Sequence, residues 1–199
     1  MTDPKILIDY NKYRWFFTSS KKIVVGGKSS SQNDELLKKL KSSKQDFVVM
    51  HTSSPGSPFT VILEKIANVS QSDIDETAIF TGCFSRQWRE GKKQTVVDIF
   101  NFSQLRKSNS MKQGQWGISG AIKRKTVTLE LVLTKQEGKL RAVPEKTVKK
   151  KSDRFIKICP GNLDKTNALP KIQVEISQHL NQDELLSALP AGGIAICRN

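Results

Sequence analysis

The chain has 199 residues, and its 33 Lys and Arg against 19 Asp and Glu give a formal net charge of +14. Its apolar runs are too short to cross a bilayer, and its three cysteines form no C-x-x-C pair, which argues against a membrane protein, a zinc site and a disulfide framework. We therefore expect reduced thiols, no signal peptide and a cytoplasmic location. The cationic excess favours a polyanionic partner, with nucleic acid ahead of an anionic membrane surface.

The first predicted element is a β-hairpin, with strands over residues 13–18 and 22–25 joined by a short polar connection. Side chains alternate along a strand, so Trp15 is expected in the core, on the face opposite Arg14. If Arg14 is exposed, its guanidinium can pair with a phosphate or with an acid at the start of the next element, Asp34 or Glu35. That element is a helix around residues 34–40, preceded by three serines that can cap it.

A turn rich in Ser, Pro and Gly follows, between predicted strands at residues 46–51 and 59–63. His51 stands at its start. In the functional interpretation, His51 stacks on or hydrogen-bonds a base while the serines and exposed backbone N–H groups of the turn hold a phosphate. In the structural interpretation, His51 bonds a local carbonyl and Gly56 is present for its backbone angles. The residues alone leave both open.

The next predicted helix covers residues 73–89, with Ser72 as N-cap and Asp75 three residues later in a capping box. Trp88 falls on the apolar face of this helix and is expected in the core, whereas Arg86 lies off that face and is free to reach RNA or a carboxylate. A glycine inside a helix is unfavourable unless another element packs close to it, which we expect at Gly82.

A strand at residues 95–102 and a polar loop at 104–113 are predicted next, followed by strands at 115–122 and 126–134. The three basic residues between the last two strands are interpreted as a hairpin tip. No acid occurs between Asp98 and Glu130, and this basic tract also contains an aromatic residue. Cations interleaved with an aromatic side chain suit a phosphate backbone with a stacked base, although a tract that is basic for solubility is the alternative.

Basic residues are dense between positions 139 and 157, and we place a linker near residues 149–153. Beyond it, the pattern predicts strands at 155–159, 172–176 and 194–198 and a helix at 183–189. The predicted fold class is α+β, with a mixed, mostly antiparallel sheet and two main helices. Residues 1–148 form the main domain in this interpretation, and residues 149–199 form a small α+β appendage.

Seven short motifs follow one another along the chain: Arg14-Trp15-Phe16-Phe17-Thr18-Ser19, Val24-Val25-Gly26-Gly27-Lys28, Asn33-Asp34-Glu35, His51 with Pro55-Gly56-Ser57, Ser85-Arg86-Gln87-Trp88, Gln104-Leu105-Arg106-Lys107 and Gly114-Gln115-Trp116-Gly117-Ile118-Ser119-Gly120. In type and order they are similar to those of the NFACT-R domain, the RNA-binding module of the NFACT family of ribosome-associated quality control. The resemblance covers about residues 13–133. Gly82-Cys83 and Arg106 depart from the family pattern. The long members' N-terminal domain and coiled coil have no counterpart, so the chain resembles a stand-alone, archaeal-type version.

The charge and the resemblance together imply non-catalytic binding of structured RNA, tRNA or ribosomal RNA, in translation or ribosome quality control. The ribosome is a further expected partner, DNA is a weaker candidate than RNA, and no membrane, cofactor or metal is expected. The candidate RNA-binding residues are Arg14, Lys28, Asn33, His51, Ser53, Ser54, Gly56, Ser57, Arg86, Gln104, Arg106, Lys107, Lys112, Trp116, Lys123, Arg124 and Lys125.

Two alternatives come from other classes of function. The chain could be a protein-interaction module that docks on the ribosome or on a partner supplying the missing NFACT domains. A metal-dependent nuclease is disfavoured, because the acids Asp73, Asp75 and Glu76 are better explained as residues at a helix N-terminus. The oligomeric state does not follow from the residues.

Overall fold

The computed structural model describes residues 8–148, 155–176 and 181–197, so the linker predicted near residues 149–153 lies outside the described residues. The described chain contains both strands and helices, and every strand pairing in it is antiparallel, which confirms the α+β class. No helix among these residues is long and apolar enough to cross a membrane.

The main sheet has six strands, which are β1 (Arg14–Phe17), β2 (Ile23–Gly26), β3 (Val48–Thr52), β4 (Thr60–Ile62), β5 (Gln94–Asn101) and β8 (Lys123–Thr128). Their order across the sheet is β1-β2-β4-β3-β5-β8. β1 and β2 form the predicted hairpin, with Trp15 opposite Val25. The predicted strands at 46–51, 59–63 and 95–102 are also confirmed, since β3, β4 and β5 occupy them.

A separate short pair joins β6 (Leu105–Arg106) to β7 (Gly117–Ile118). A second sheet has four strands, which are β9 (Leu131–Gln136), β10 (Lys139–Val143), β11 (Ile156–Leu163) and β12 (Ile194–Ile196), in the order β10-β9-β11-β12. β11 pairs with β9, so strands from both sides of the proposed boundary at residue 149 share one sheet. The division into two domains stays a prediction.

The helices are α1 (Ser30–Ser42), α2 (Gln71–Cys83), α3 (Arg86–Arg89), α4 (Lys165–Ile176) and α5 (Gln182–Ala188). Two apolar clusters flank the six-stranded sheet. α1 packs with Trp15 in one of them, and α2 packs with Phe16 in the other, which continues into the second sheet. This arrangement confirms that neighbouring side chains of β1 point to opposite faces and that Trp15, 1% exposed, belongs to the core.

The start and the length of the predicted second helix were wrong. Its N-cap is Ser70, two residues before the predicted Ser72, and the capping box is completed by Asp73 rather than Asp75. The helix also breaks after Cys83, and Ser85 caps the separate helix α3. Ser70 is the N-cap because its capping-box partner, Asp73, is fully buried and accepts hydrogen bonds from groups on the β1–β2 hairpin. A local sequence pattern does not reveal these contacts.

The basic triplet at residues 123–125 is not a hairpin tip, because it forms the first half of strand β8 beside β5. Acids on neighbouring elements balance two of its charges. Arg124 pairs with Asp98 on β5, and Lys125 pairs with Asp75 on α2. The sequence shows an unbroken cationic run, but the fold supplies the counter-charges from a neighbouring strand and from helix α2.

Residues 172–176 are helical, not the predicted strand. Ile172 and Ala168 are both fully buried, as expected for positions four residues apart on one helix face, whereas Val174 is 77% exposed. The carboxylate of Asp164 accepts hydrogen bonds from backbone N–H groups in the first turn of α4. The alternation of apolar residues was therefore a misleading signal.

The expectation of reduced thiols was wrong for two of the three cysteines. Cys159 on β11 and Cys197 just after β12 form a disulfide with their Cα atoms 6.3 Å apart, whereas Cys83 is free and buried. The two bonded residues are 38 positions apart in sequence, and only the pairing of β11 with β12 brings them together.

Gly82 confirms the predicted close packing inside a helix. A Cβ atom built at this position would lie 2.8 Å from Cγ2 of Val127 and 2.9 Å from Cγ2 of Thr95. We expect Gly82→Ala to lower the free energy of unfolding by about 1–3 kcal/mol, because overpacking outweighs the better helix propensity of alanine. Urea unfolding measures this change. Gly117→Ala is the control, since there the nearest atom is the flexible end of Met111; equal stability of both variants would contradict the prediction.

Candidate nucleic-acid interface

A cleft of about 670 Å³ opens beside the end of β3. Three segments form its walls: the backbone entering α1, the turn after His51, and the chain around Trp116. Its polar and charged lining comprises Arg14, Lys28, Ser29, Ser30, Asn33, His51, Ser53, Ser57, Lys112, Gln113, Gln115 and Trp116, and Phe59, Phe84 and Ile118 add apolar surface. The cleft therefore combines cations, hydroxyl groups and aromatic rings, groups that suit the phosphate and the base of a nucleotide.

The turn after β3 is held by its own hydrogen bonds. The N–H of Thr52 donates to Oγ of Ser57 over 2.9 Å, which leaves the hydroxyl proton of Ser57 available to donate. Gly56 has a φ of +104°, so the turn requires glycine there. Its carbonyl accepts from the N–H of Arg86 over 2.8 Å, which ties the turn to the start of α3.

His51 forms the aromatic wall of this turn. Its ring lies against Phe59 with centroids 4.6 Å apart, and its Nδ1 donates to the carbonyl oxygen of Thr52 over 2.7 Å. Burial lowers the pKa of His51, which outweighs the opposing effects of the Thr52 carbonyl and the Asp98 carboxylate. The ring is therefore neutral near pH 7, so it offers a stacking surface and not a positive charge.

Asp34 holds the opposite wall in place. Its carboxylate, almost fully buried, accepts from Nε1 of Trp116 over 2.7 Å and from Nζ of Lys107 over 3.3 Å. Burial opposes ionisation of this group, but hydrogen bonds from the Gly114 backbone, Trp116 and Lys107 outweigh it and lower the pKa of Asp34. The Lys107 ammonium also lies 5.5 Å from the centre of the Trp116 ring. A single buried acid thus fixes the segment that carries Trp116.

Two cations stand at one end of the cleft. Arg14 is partly buried, donates from Nη1 to the carbonyl of Gly27 over 3.0 Å and lies over the ring of Phe84. Of the two partners suggested for Arg14, an acid of α1 forms no ion pair with it within the described residues, and a phosphate stays a prediction. Lys28 is exposed beside it. Partial burial and the charges of Arg14 and Arg141 lower the pKa of Lys28, which indicates that these cations lie close together.

The cleft collects nine of the seventeen residues predicted to bind RNA, taken from four separate stretches of sequence: Arg14, Lys28, Asn33, His51, Ser53, Gly56, Ser57, Lys112 and Trp116. Asn33 has a further structural task, because its side-chain oxygen accepts from the N–H of Phe59 over 3.2 Å.

The other eight predicted residues lie outside the cleft lining. The carbonyl of Ser54 accepts from the hydroxyl of Thr52, and Arg86 packs against Gly56. Gln104, Arg106 and Lys107 donate to backbone carbonyls around β6 and β7. Lys123, Arg124 and Lys125 line β8, where Arg124 shares the carboxylate of Asp98 with Ser53 of the cleft. Their part in RNA binding stays a proposal.

Two residues that shape the cleft were missed as site residues. Phe59 was assigned to a strand, and its contact with His51 depends on the pairing of β3 with β4. Asp34 was noted only as an acid at a helix start. A buried acid whose cationic and aromatic partners are 73 and 82 positions away, respectively, has no local signature in the sequence.

The comparison with protein families decides what this fold is. A model described as the NFACT protein RNA binding domain matches residues 12–120. The chain belongs to this family. The matched stretch contains every residue of the cleft lining, whereas β8–β12, α4 and α5 lie beyond it.

Individual relatives of this NFACT-family chain are distant. The archaeal Rqc2 homolog aRqcH of Methanocaldococcus jannaschii is 23% identical over 170 residues, which cover 79% of this chain and 25% of that protein. The chain therefore spans about a quarter of the length of this curated relative. Among solved structures, the C-terminal part of the fibronectin/fibrinogen-binding protein from Streptococcus suis matches with a TM-score of 0.49 and 23% identity, over 59% of this chain and 44% of that one.

Proposed function

We propose that this chain binds RNA through the cleft, without catalysis, and that it acts in translation or ribosome quality control. The observation that carries the proposal is the convergence of nine predicted contact residues on one cleft, inside the stretch matched by a family of RNA-binding domains. Membership of the family supports RNA as the ligand. The similarity to an archaeal Rqc2 homolog supports the ribosomal setting, with tRNA or ribosomal RNA as the bound molecule.

The binding mechanism has an electrostatic part and a local part. The net charge of +14 attracts the phosphate backbone, and Lys28 and Lys112 place exposed cations at the cleft. Inside it, the His51–Phe59 pair and Trp116 offer aromatic surface for an unpaired base, while the hydroxyl of Ser57 can donate to the phosphate or the base edge. Nothing in this mechanism requires a bond to be made or broken.

The first test is binding of the purified protein to total tRNA, duplex DNA and heparin across a salt series. We expect tRNA to bind most tightly and to keep this preference at moderate salt, since stacking in the cleft is less sensitive to ions than phosphate contacts are. Equal binding to all three ligands, lost together as salt rises, would contradict specific RNA binding and favour the partner-docking alternative.

A pair of double variants separates the cleft from the overall charge. Lys28→Glu with Lys112→Glu is expected to weaken tRNA binding by at least tenfold, because two cations at the cleft become anions. Lys92→Glu with Lys93→Glu is the matched control, since both lysines are exposed and the change in net charge is the same. Equal losses in the two double variants, measured by fluorescence anisotropy, would show that only the overall charge matters.

A further inference from the structure

A second recess, of about 150 Å³, lies between β1, β10 and the end of α5. Its lining includes Asn11, Arg141 and Ser187, and it shares Arg14, Lys28 and Phe84 with the cleft, so the two concavities adjoin. Arg141 and Ser187 come from the part of the chain beyond the family match at residues 12–120. The C-terminal strands and helices thus add surface directly beside the candidate nucleotide cleft.

Arg141 is preorganised in this recess. Its guanidinium carbon lies 4.2 Å from the centre of the Trp15 ring, and Nη1 donates to the carbonyl of Leu140 over 2.8 Å. Nε is buried and has no hydrogen-bond partner among the described residues. The guanidinium is thus held in place by stacking and is only partly satisfied by the protein, which favours a ligand that supplies acceptor oxygens to its accessible N–H groups.

The cations around the recess are not balanced by ion pairs. Within the described residues, Arg14, Lys28, Arg141 and Lys165 take part in no salt bridge. Burial lowers the pKa of all four, and the positive charge of Arg14 adds to this effect on Lys28 and Lys165. Glu184 and Asp164 oppose the shift at Arg141 and Lys165 respectively, but the carboxylate of Glu184 is engaged by the N–H of Leu140 over 2.9 Å.

We propose that this recess binds a phosphate group of the RNA strand, next to the nucleotide held in the cleft. The inference rests on the proposed function and extends it, because Arg141 supplies a contact from outside the matched family region. Arg14, Lys28 and Arg141 surround the space, and Lys165 adds a fourth positive charge near Arg14. A phosphate group supplies the negative charge that these cations lack, and its oxygens can accept from the accessible donors of Arg14, Lys28 and Arg141.

The test measures tRNA affinity and its salt dependence for Arg141→Gln and for Lys28→Gln. Each variant is expected to bind about 5–10-fold more weakly, with the slope of log K against log salt reduced in magnitude by about one, as for the loss of one phosphate contact. Lys92→Gln, an exposed position away from both concavities, is the control and should stay within about twofold of the unmodified chain. Thermal melting checks that Arg141→Gln still folds, because the substitution removes the stacking on Trp15. Lys28 is exposed, so Lys28→Gln is not expected to disturb packing.

The possible outcomes separate the two proposals. If the unmodified chain fails to bind tRNA, the proposed function is wrong and this inference falls with it. If the unmodified chain binds tRNA but Arg141→Gln keeps its affinity and slope, the phosphate site is wrong whatever Lys28→Gln does, because Lys28 also lines the cleft whereas Arg141 lines the recess alone. The remaining measurement is titration with inorganic phosphate alone. If inorganic phosphate binds tightly and Arg141→Gln abolishes this binding without changing tRNA affinity, the recess is a site for free phosphate and not for a phosphate of RNA.

Discussion

Asp73→Ala is expected to lower the free energy of unfolding by about 3 kcal/mol, because several buried or half-buried donors lose their acceptor at once. The fully buried carboxylate accepts from the hydroxyls of Thr18 and Ser20 over 2.6 and 2.5 Å, and from the N–H of Ser70 over 2.9 Å. These bonds join the β1–β2 hairpin to the start of α2. Urea unfolding followed by circular dichroism measures the change.

Asp75→Ala is the matched control for Asp73→Ala. Asp75 is on the same helix, two residues later, but its side chain is partly exposed and pairs with Lys125 at the surface. Removal of such a pair costs about 0–1 kcal/mol. If both variants lost the same stability, the buried cluster around Asp73 would not be the reason for the effect.

The stabilisation by Asp73 should also depend on pH. Burial opposes its ionisation, but hydrogen bonds from Ser20, Thr18 and Ser70 outweigh it, so the pKa in the folded state lies below the ordinary value of 3.8. A group with a lowered folded pKa stabilises the fold fully above its unfolded pKa and loses this contribution as the pH falls through the folded value. Acidification below about pH 4 should therefore reduce the stability difference between the unmodified chain and Asp73→Ala.

Asp34→Ala is expected to weaken tRNA binding by about tenfold or more, with a loss of stability of about 1–3 kcal/mol. Asp34 is the acceptor for both Trp116 and Lys107, so its loss releases the segment that carries Trp116 and Lys112 to the cleft. Anisotropy measures the affinity. Acrylamide quenching reports the released segment, because Trp15 and Trp88 are each 1% exposed and any increase comes from Trp116.

Glu35→Ala is the control for Asp34→Ala, since Glu35 is the next residue, is exposed and pairs with Lys39 on the helix surface. It should keep tRNA affinity within about twofold, as expected for a surface pair. Normal tRNA binding by Asp34→Ala, despite greater quenching of tryptophan, would show that the wall formed by Trp116 is not part of the RNA site.

The elements that sequence patterns predicted well are those whose signal is local. The hairpin of β1 and β2 has two β-rich runs and a short polar connection, and strand alternation correctly placed Trp15 in the core. The turn after His51 was recognisable because Ser, Pro and Gly interrupt two strands, and Gly56 has the positive φ expected of such a position. The order of the seven motifs was sufficient to indicate the family.

The elements that were predicted wrongly depend on partners far along the chain. Residues 172–176 alternate like a strand, yet the apolar cluster buries Ala168 and Ile172 from one face of a helix. The basic run at 123–125 resembles an exposed hairpin tip in the sequence, but in the fold Asp98 and Asp75 lie beside it and form ion pairs with two of its residues. A local pattern specifies which faces are apolar or charged, but not which distant surface will cover them.

The sequence by itself determined the α+β class, the family and most of the residues proposed to contact RNA, because composition, strand alternation and turn chemistry act over a few residues. Only the tertiary structure decided which of those residues share a cleft. It also showed that Asp34 holds Trp116 in place and that Arg141 stands beside Arg14, 127 positions away in sequence. Such contacts depend on strand order and helix packing, which no short stretch of sequence encodes.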